Sequence, residues 1–188
     1  MKSAILSSLI IATLGCSLPA MADSQTFSLG YAQSKVQDFK NIRGVNAKYR
    51  YEWDSPVSII GSLTYMSGKR NSSIDTPGVG SDSSHASMKY YSLSAGPAYR
   101  FNSYISIYGL LGVNYDKADF SYSSSTLSGS SWESSGSSKK AALMYGAGVQ
   151  INPVENVSID IGYEGSSYKD TEKTLSINGF NLGVGYRF

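Results

Sequence analysis

A chain of 188 residues with a formal net charge of +2, one cysteine and one histidine has no bulk charge for holding nucleic acid. It also has too few thiols for a disulfide framework or a paired-cysteine zinc site. Nineteen glycines and fifteen tyrosines against five prolines favour many strands over helices, so one all-β domain is the natural prior.

The amino terminus carries Lys2, an apolar run through Ile5, Leu6, Leu9, Ile10, Ile11 and Leu14, then Pro19 and Ala20-Met21-Ala22. This pattern reads as a secretory signal peptide over 1-22, cleaved after Ala22. The run is interrupted by Ser7, Ser8 and Thr13 and falls short of the roughly 20 residues a membrane helix needs, so it exports the chain rather than anchoring it. Thr13-Leu14-Gly15-Cys16 offers a lipidation site as an alternative, but the Ala-x-Ala site fits better. Cleavage leaves 23-188 free of cysteine, so stability there owes nothing to disulfides.

Period-two alternation dominates the remainder, in about eight segments long enough for the roughly ten residues of a tilted membrane strand. Phe27, Leu29 and Tyr31 oppose Ser28, Gly30 and Ala32; Val45, Ala47, Tyr49, Tyr51 and Trp53 oppose Asn46, Lys48, Arg50 and Glu52. Val57, Ile59, Leu63 and Tyr65 then oppose Ser58, Ser62 and Thr64. Tyr91, Leu93, Ala95, Tyr99 and Phe101 oppose Tyr90, Ser92, Ser94 and Arg100, with Pro97 as an irregularity on the apolar side. The fifth segment, Ile105 to Tyr115, alternates poorly because Tyr108 and Leu110 fall on the polar side. The sixth sets Leu143, Tyr145, Val149 and Ile151 against Gly146, Gly148 and Gln150. The seventh sets Val157, Ile159, Ile161 and Tyr163 against Ser158, Asp160, Gly162 and Glu164. In the last, Phe180, Leu182, Val184, Tyr186 and Phe188 oppose Asn181, Gly183, Gly185 and Arg187.

Such strands suit a water-soluble barrel with an apolar lumen or a membrane barrel with an apolar exterior. Aromatics near strand ends on the apolar face, among them Tyr49, Trp53, Tyr99, Phe101, Tyr186 and Phe188, are where interfacial girdles belong. The expected architecture is an eight-stranded antiparallel up-and-down transmembrane β-barrel over 23-188, whose closure pairs every backbone polar group within lipid. Connections alternate: Asp54 to Pro56, Asn102 to Ser103 and Asn152 to Val154 read as tight turns. Ser34 to Ile42, Gly68 to Ser87, Asp119 to Ser138 and Lys169 to Thr174 read as longer loops. Short turns face the periplasm and long loops the exterior, which puts both termini in the periplasm.

An eight-stranded lumen is about wide enough for side chains to fill, so transport is not expected. Lys48, Arg50, Arg100 and Arg187 against Glu52, Asp160 and Glu164 are expected to form a structural salt-bridge network, each carboxylate with a cationic partner. No phosphate loop, metal motif or cofactor signature appears. His85 stands among serines and Asp82, the ingredients of a catalytic triad. A serine-rich loop would not pre-organise a base and nucleophile, so His85 reads as solvated and the chain as no enzyme.

The loops hold the remaining candidates. Trp132, with Tyr122 and Phe120 in a serine-rich stretch, is a contact anchor or packs on a neighbouring loop. Only the first loop region is net basic, with Lys35, Lys40 and Arg43 against Asp38; Lys69 and Arg70 against Asp75 and Asp82, and Lys169 and Lys173 against Asp170 and Glu172, cancel.

At Gly30-Tyr31-Ala32-Gln33-Ser34, Val45-Asn46-Ala47-Lys48-Tyr49-Arg50-Tyr51-Glu52, Ala95-Gly96-Pro97-Ala98-Tyr99-Arg100, Tyr145-Gly146-Ala147-Gly148 and Gly183-Val184-Gly185-Tyr186-Arg187-Phe188, the chain resembles the Ail/Lom/OmpX family. Ser34 to Asn46 and Asp160 to Gly165 look most like its PagC branch. The resemblance implies adhesion to host cells or matrix, resistance to complement, or survival in phagocytes, all residing in the loops. It also implies that the terminal Tyr186-Arg187-Phe188 is read by the barrel-assembly machinery. The alternative reading is a structural barrel that modulates outer-membrane integrity through lipopolysaccharide, using Lys69, Arg70, Lys139 and Lys140.

Overall fold

The structure, a computed structural model, describes residues 23–36, 41–76, 80–126, 131–169 and 174–188; the leader expected over 1-22 lies outside them. Eight strands follow one another: β1 (Ser24–Val36), β2 (Ile42–Glu52), β3 (Val57–Thr76), β4 (Gly80–Arg100), β5 (Ile105–Thr126), β6 (Ser131–Val154), β7 (Val157–Lys169) and β8 (Thr174–Arg187). Each pairs antiparallel with its sequence neighbours, and β8 returns to β1, closing the barrel. The start of β1 and the end of β8 lie at one end, where the Gln25 and Phe188 backbones bond reciprocally at 2.8 and 2.9 Å.

Register fixes the geometry. Traced once round the wall from Ser28, it runs through Lys48, Ser62, Ser94, Gly112, Met144, Ser166 and Ile177 back to Val36, further along β1. That stagger forces the strands to tilt by about 35–45°, so a row of paired residues climbs roughly 2.5 Å per strand.

The alternation resolves as the patterning requires. Leu29, Val45, Leu63, Leu93, Leu143 and Val184 are exposed on the outer wall, whereas Ser28, Asn46, Lys48, Arg50, Thr64, Ser92 and Asp160 are buried inside. Tyr51 and Trp53, Tyr99 and Phe101, and Tyr186 and Phe188 form ring pairs near the terminal end. Tyr65, Tyr91 and Tyr115 align in register towards the other. Tyr91 and Tyr99 are separated by roughly 20 Å along the barrel axis, close to the ~25 Å apolar band of an outer-membrane barrel.

Several boundaries differ from expectation. Gly68 to Ser87 and Asp119 to Ser138 are largely paired strand: β3–β4 pairing runs out to Thr76 and Gly80, and β5–β6 pairing to Ser125 and Ser131. The turn expected at Asn152 to Val154 falls at 155–156, because β6 continues past an irregularity between Ile151 and Val154. Pro97 lies within β4 and pairs with Ile59 of β3, while the β4–β5 ladder skips from Ala95 to Ala98; without an N–H, proline cannot complete both ladders of a closed wall.

Candidate functional site: the lumen plug and the protruding sheet

The lumen brings together six of the seven charged residues expected there as two ionic centres. Lys48 Nζ lies 2.5 Å from Asp160 Oδ1 and 2.5 Å from Asn181 Oδ1, and 5.5 Å over the Tyr108 ring. Tyr108 donates its hydroxyl to the same Asp160 oxygen at 2.9 Å. Nearer the terminal end Glu52 is a hub. Arg100 donates to it twice, both at 2.8 Å, and Arg187 once at 3.1 Å. Arg50 Nη2 stands 3.0 Å away, within ion-pair reach but not aligned for a hydrogen bond. Arg50 also donates to Ser58 and Gln150, each at 2.9 Å.

Glu164 departs from the expected cationic pairing. Its carboxylate accepts from Thr64 at 2.7 Å, Ser92 at 3.3 Å, and Asn46 and Asn181 at 3.4 Å each. Hydroxyl and amide donors satisfy it where β2, β3, β4 and β8 converge, and Lys48 is committed to Asp160.

The alternation conceals two further features. Tyr108 and Leu110, which spoil the pattern of β5, are buried inside with Ile60 and Ala98. Space for Tyr108 comes from glycines opposite: a Cβ at Gly148 or Gly162 would lie 2.2 or 2.6 Å from its hydroxyl. At the end away from the termini, Ala32, Val36, Ile42, Met66, Met88, Tyr90 and Ile177 form a second buried apolar cluster that closes the lumen. Asp116, with Asn114 donating to it at 2.6 Å, is a buried inward carboxylate; its parity with Asn114 was the available signal. A lumen packed this way is a plug, without room for a permeating solute.

Beyond that plug, β3, β4, β5 and β6 leave the barrel as a four-stranded sheet. Pairing of β2 to β3 stops at Arg43 and Ser67, and β7 pairs with β6 only from Met144 onward. Residue parity divides the two faces. Arg70, Phe120, Tyr122, Trp132 and Lys140 continue the lumen-facing set, whereas Lys69, His85, Lys89, Lys117 and Lys139 continue the lipid-facing set. Tyr122 and Trp132 meet edge to face at 6.0 Å, and Phe120 is paired opposite Ala86 and Gly136. Trp132 remains 64% exposed and Phe120 52%, so the ring contact leaves most of the aromatic surface open.

His85 is exposed within β4, opposite Asn71 and Ser121, so its setting is paired strand rather than the expected loop. Asp119 forms an ion pair with Lys117 at 3.3 Å; the Ser137 hydroxyl and the Lys117 ammonium hold its carboxyl below the usual carboxylate range. Among the described residues no group of histidine, cysteine, aspartate and glutamate is disposed to hold a metal. Asp38, Lys40, Asp170, Glu172 and Lys173 fall outside the described residues, as do the side chains of Asp75 and Lys169.

The described residues form an exposed aromatic and basic sheet on a packed barrel, and similarity to known proteins agrees with the barrel. Residues 8–188 match the family model described as outer membrane protein beta-barrel domain. The virulence membrane protein PagC of Salmonella typhimurium is 52% identical, with all of both chains covered. The attachment invasion locus protein of Yersinia pseudotuberculosis is 38% identical, covering 100% of this chain and 97% of that one. The crystal structure of Ail from Yersinia pestis, in complex with the heparin analogue sucrose octasulfate, superposes with a TM-score of 0.68 at 38% identity, over 89% of this chain and all of that one. Closed register, sealed lumen and full-length similarity agree: the chain belongs to the outer membrane protein β-barrel family, together with PagC, Ail and OmpX.

Proposed function

We propose that this is a virulence-associated surface protein of the Gram-negative outer membrane that attaches the bacterium to host surfaces through its protruding sheet. Adhesion, invasion or resistance to host defences would follow from that contact. The barrel is the anchor and performs no catalysis. Short turns at the terminal end and long hairpins at the other favour an orientation with both termini in the periplasm; Phe188 then closes the wall on the side where the barrel-assembly machinery works.

The observation that carries this reading is the exposed aromatic set Phe120, Tyr122 and Trp132 on one face of the sheet, with Arg70 on the same face. Aromatic rings and arginine dominate contact energetics, and here a paired sheet holds them, which lowers the ordering cost of binding. The partner class is host cell-surface, matrix or complement protein. The sulfated sugar held by Ail makes a sulfated glycan the first probe.

The test shortens both hairpins to tight turns, removing 68–87 and 119–138, in cells that otherwise lack the protein. The barrel is expected to assemble while attachment to host matrix or heparin-coated surfaces falls to the level of cells without it. Attachment at the native level would refute the reading.

A further inference from the structure

The aromatic face of the protruding sheet is laid out in register rows. Arg70, Ala86, Phe120 and Gly136 form one row across β3 to β6, and Ser72, Ser84, Tyr122 and Ser134 form the next row outward. Trp132 stands one row further out, opposite Ser124. Strand rise puts the row of Trp132 about 13 Å beyond that of Phe120. The three rings therefore make a column, and Tyr122 meets Trp132 edge to face at its outer end.

Phe120 has open ground on both sides. Only the methyl group of Ala86 stands between it and Arg70, two strand spacings or about 10 Å away. On the other side a Cβ at Gly136 would meet no atom within 4 Å. The result is a groove of about 620 Å³ whose lining includes Arg70, Ser72, Ser84, Phe120, Tyr122 and Ser134. No carboxylate lines the groove. Among the described residues none lies within ion-pair distance of Arg70, which leaves its guanidinium open to an acid from outside.

This lining fits a saccharide better than a polypeptide. Serine is depleted at the centre of protein–protein contacts, whereas here serine hydroxyls flank Tyr122 on both sides and face Trp132. The C–H face of a pyranose ring, slightly positive, packs on the negative face of an aromatic ring, and sugar hydroxyls pair with serines. A lone guanidinium suits a carboxylate, which accepts two parallel hydrogen bonds from it; a chain dense in sulfate would leave most of its anions unmatched.

We propose that the groove binds a glycan through a carboxylated sugar, held between Arg70 and Phe120, with the adjoining sugar rings on Tyr122 and Trp132. This rests on the adhesion reading above and names the chemistry recognised: the host surface is held through its acidic sugars rather than through polypeptide or sulfate.

The test measures saccharide binding to the protein inserted in lipid nanodiscs, by ligand-observed NMR. Sialyllactose and lactose isolate the carboxylate, and a hyaluronan tetrasaccharide separates a uronate within a chain from a terminal acidic sugar. A charge-assisted contact with Arg70 should favour at least one of the two acidic saccharides over lactose by about tenfold. Arg70→Gln should abolish that preference, and Lys139→Gln, on the opposite face of the sheet, should keep it. Phe120→Ser/Trp132→Ser should weaken every saccharide by at least about tenfold, with the folded state of each variant checked by heat-modifiable gel mobility. Heparin should still bind after chemical removal of its sulfates, because its uronate carboxylates remain. Equal affinity of the native protein for all three saccharides, a preference that survives Arg70→Gln, or loss of heparin binding on desulfation would each overturn the proposal. Host-matrix attachment that needs the hairpins but persists after enzymatic removal of acidic sugars from the matrix would refute this inference alone and leave the adhesion reading standing.

Discussion

Replacing Asp160 by asparagine should destabilise the barrel by about 3–5 kcal/mol, the cost of leaving one partner of a buried ion pair without the other. The upper part of that range applies because neither group reaches water: Lys48 is 3% exposed and Asp160 1%. Lys48 would keep the Asn181 oxygen at 2.5 Å and the Tyr108 ring, but neither carries a compensating charge. Asparagine still offers Tyr108 an acceptor, so the loss isolates the carboxylate charge. Lys48→Met combined with Asp160→Asn removes both charges and should recover most of the stability, since a buried pair replaced as a unit is often neutral or better. Urea unfolding of the protein folded in lipid vesicles, followed by tryptophan fluorescence and gel mobility, measures both of these and Lys48→Met alone. A single-variant cost below about 1 kcal/mol, or a double variant as unstable as the sum of the singles, would show that the lumen is wet and the pair uncoupled.

Gly148→Ala and Gly162→Ala should each cost about 1–3 kcal/mol by overpacking, at Gly148 against the Tyr108 ring and hydroxyl and at Gly162 against the Asn181 side-chain oxygen and the Tyr108 hydroxyl. Tyr108→Phe should recover part of that cost in the same unfolding assay; equal costs in both backgrounds would mean that Tyr108 is not what fills the space. For Asp119, a depressed carboxyl pKa means that its contribution to the sheet is fully present above the unfolded value near 3.9 and is lost as pH falls through the lower folded value. The carboxyl resonance should accordingly titrate below that of a free aspartate by NMR, and Ser137→Ala and Lys117→Gln should each raise its midpoint; a midpoint unmoved by both would refute the assignment of causes.

How much of the molecule was legible in its sequence varied with how strictly period two was obeyed. From Phe180 to Arg187 β8 alternates without exception, and the faces of that stretch could be assigned from sequence. β5 could not be read that way, because Tyr108 and Leu110 are apolar residues pointing inward; only the glycines of β6 and β7, the next two strands of the wall, explain Tyr108, and a one-strand pattern does not contain its neighbours. The same limit hid the apolar closure of the lumen, since Met66, Met88 and Ile177 have polar-face parity but an apolar environment. Long hairpins were read as loops because serine-rich segments lack the apolar alternation that marks strands in lipid. Once in water, a sheet continued from the barrel holds together through backbone pairing that no side-chain pattern announces. Charge pairing was half legible. Lys48, Arg50, Glu52, Arg100, Asp160 and Arg187 do meet as ionic centres, whereas Glu164 depends on Thr64, Ser92, Asn46 and Asn181, whose convergence follows from register rather than composition.

In the proposed function the aromatic face of the protruding sheet makes the contact with the host. The most direct measurement is attachment of cells carrying Phe120→Ser/Tyr122→Ser/Trp132→Ser to host matrix and to heparin-coated surfaces. Surface display of the variant is verified by antibody to a tag placed in the β7–β8 connection. Removal of three exposed aromatic anchors should reduce attachment by at least about tenfold, because even one such anchor is worth more than about 1.4 kcal/mol. Attachment at the native level, with the variant displayed in native amount, would contradict the claim.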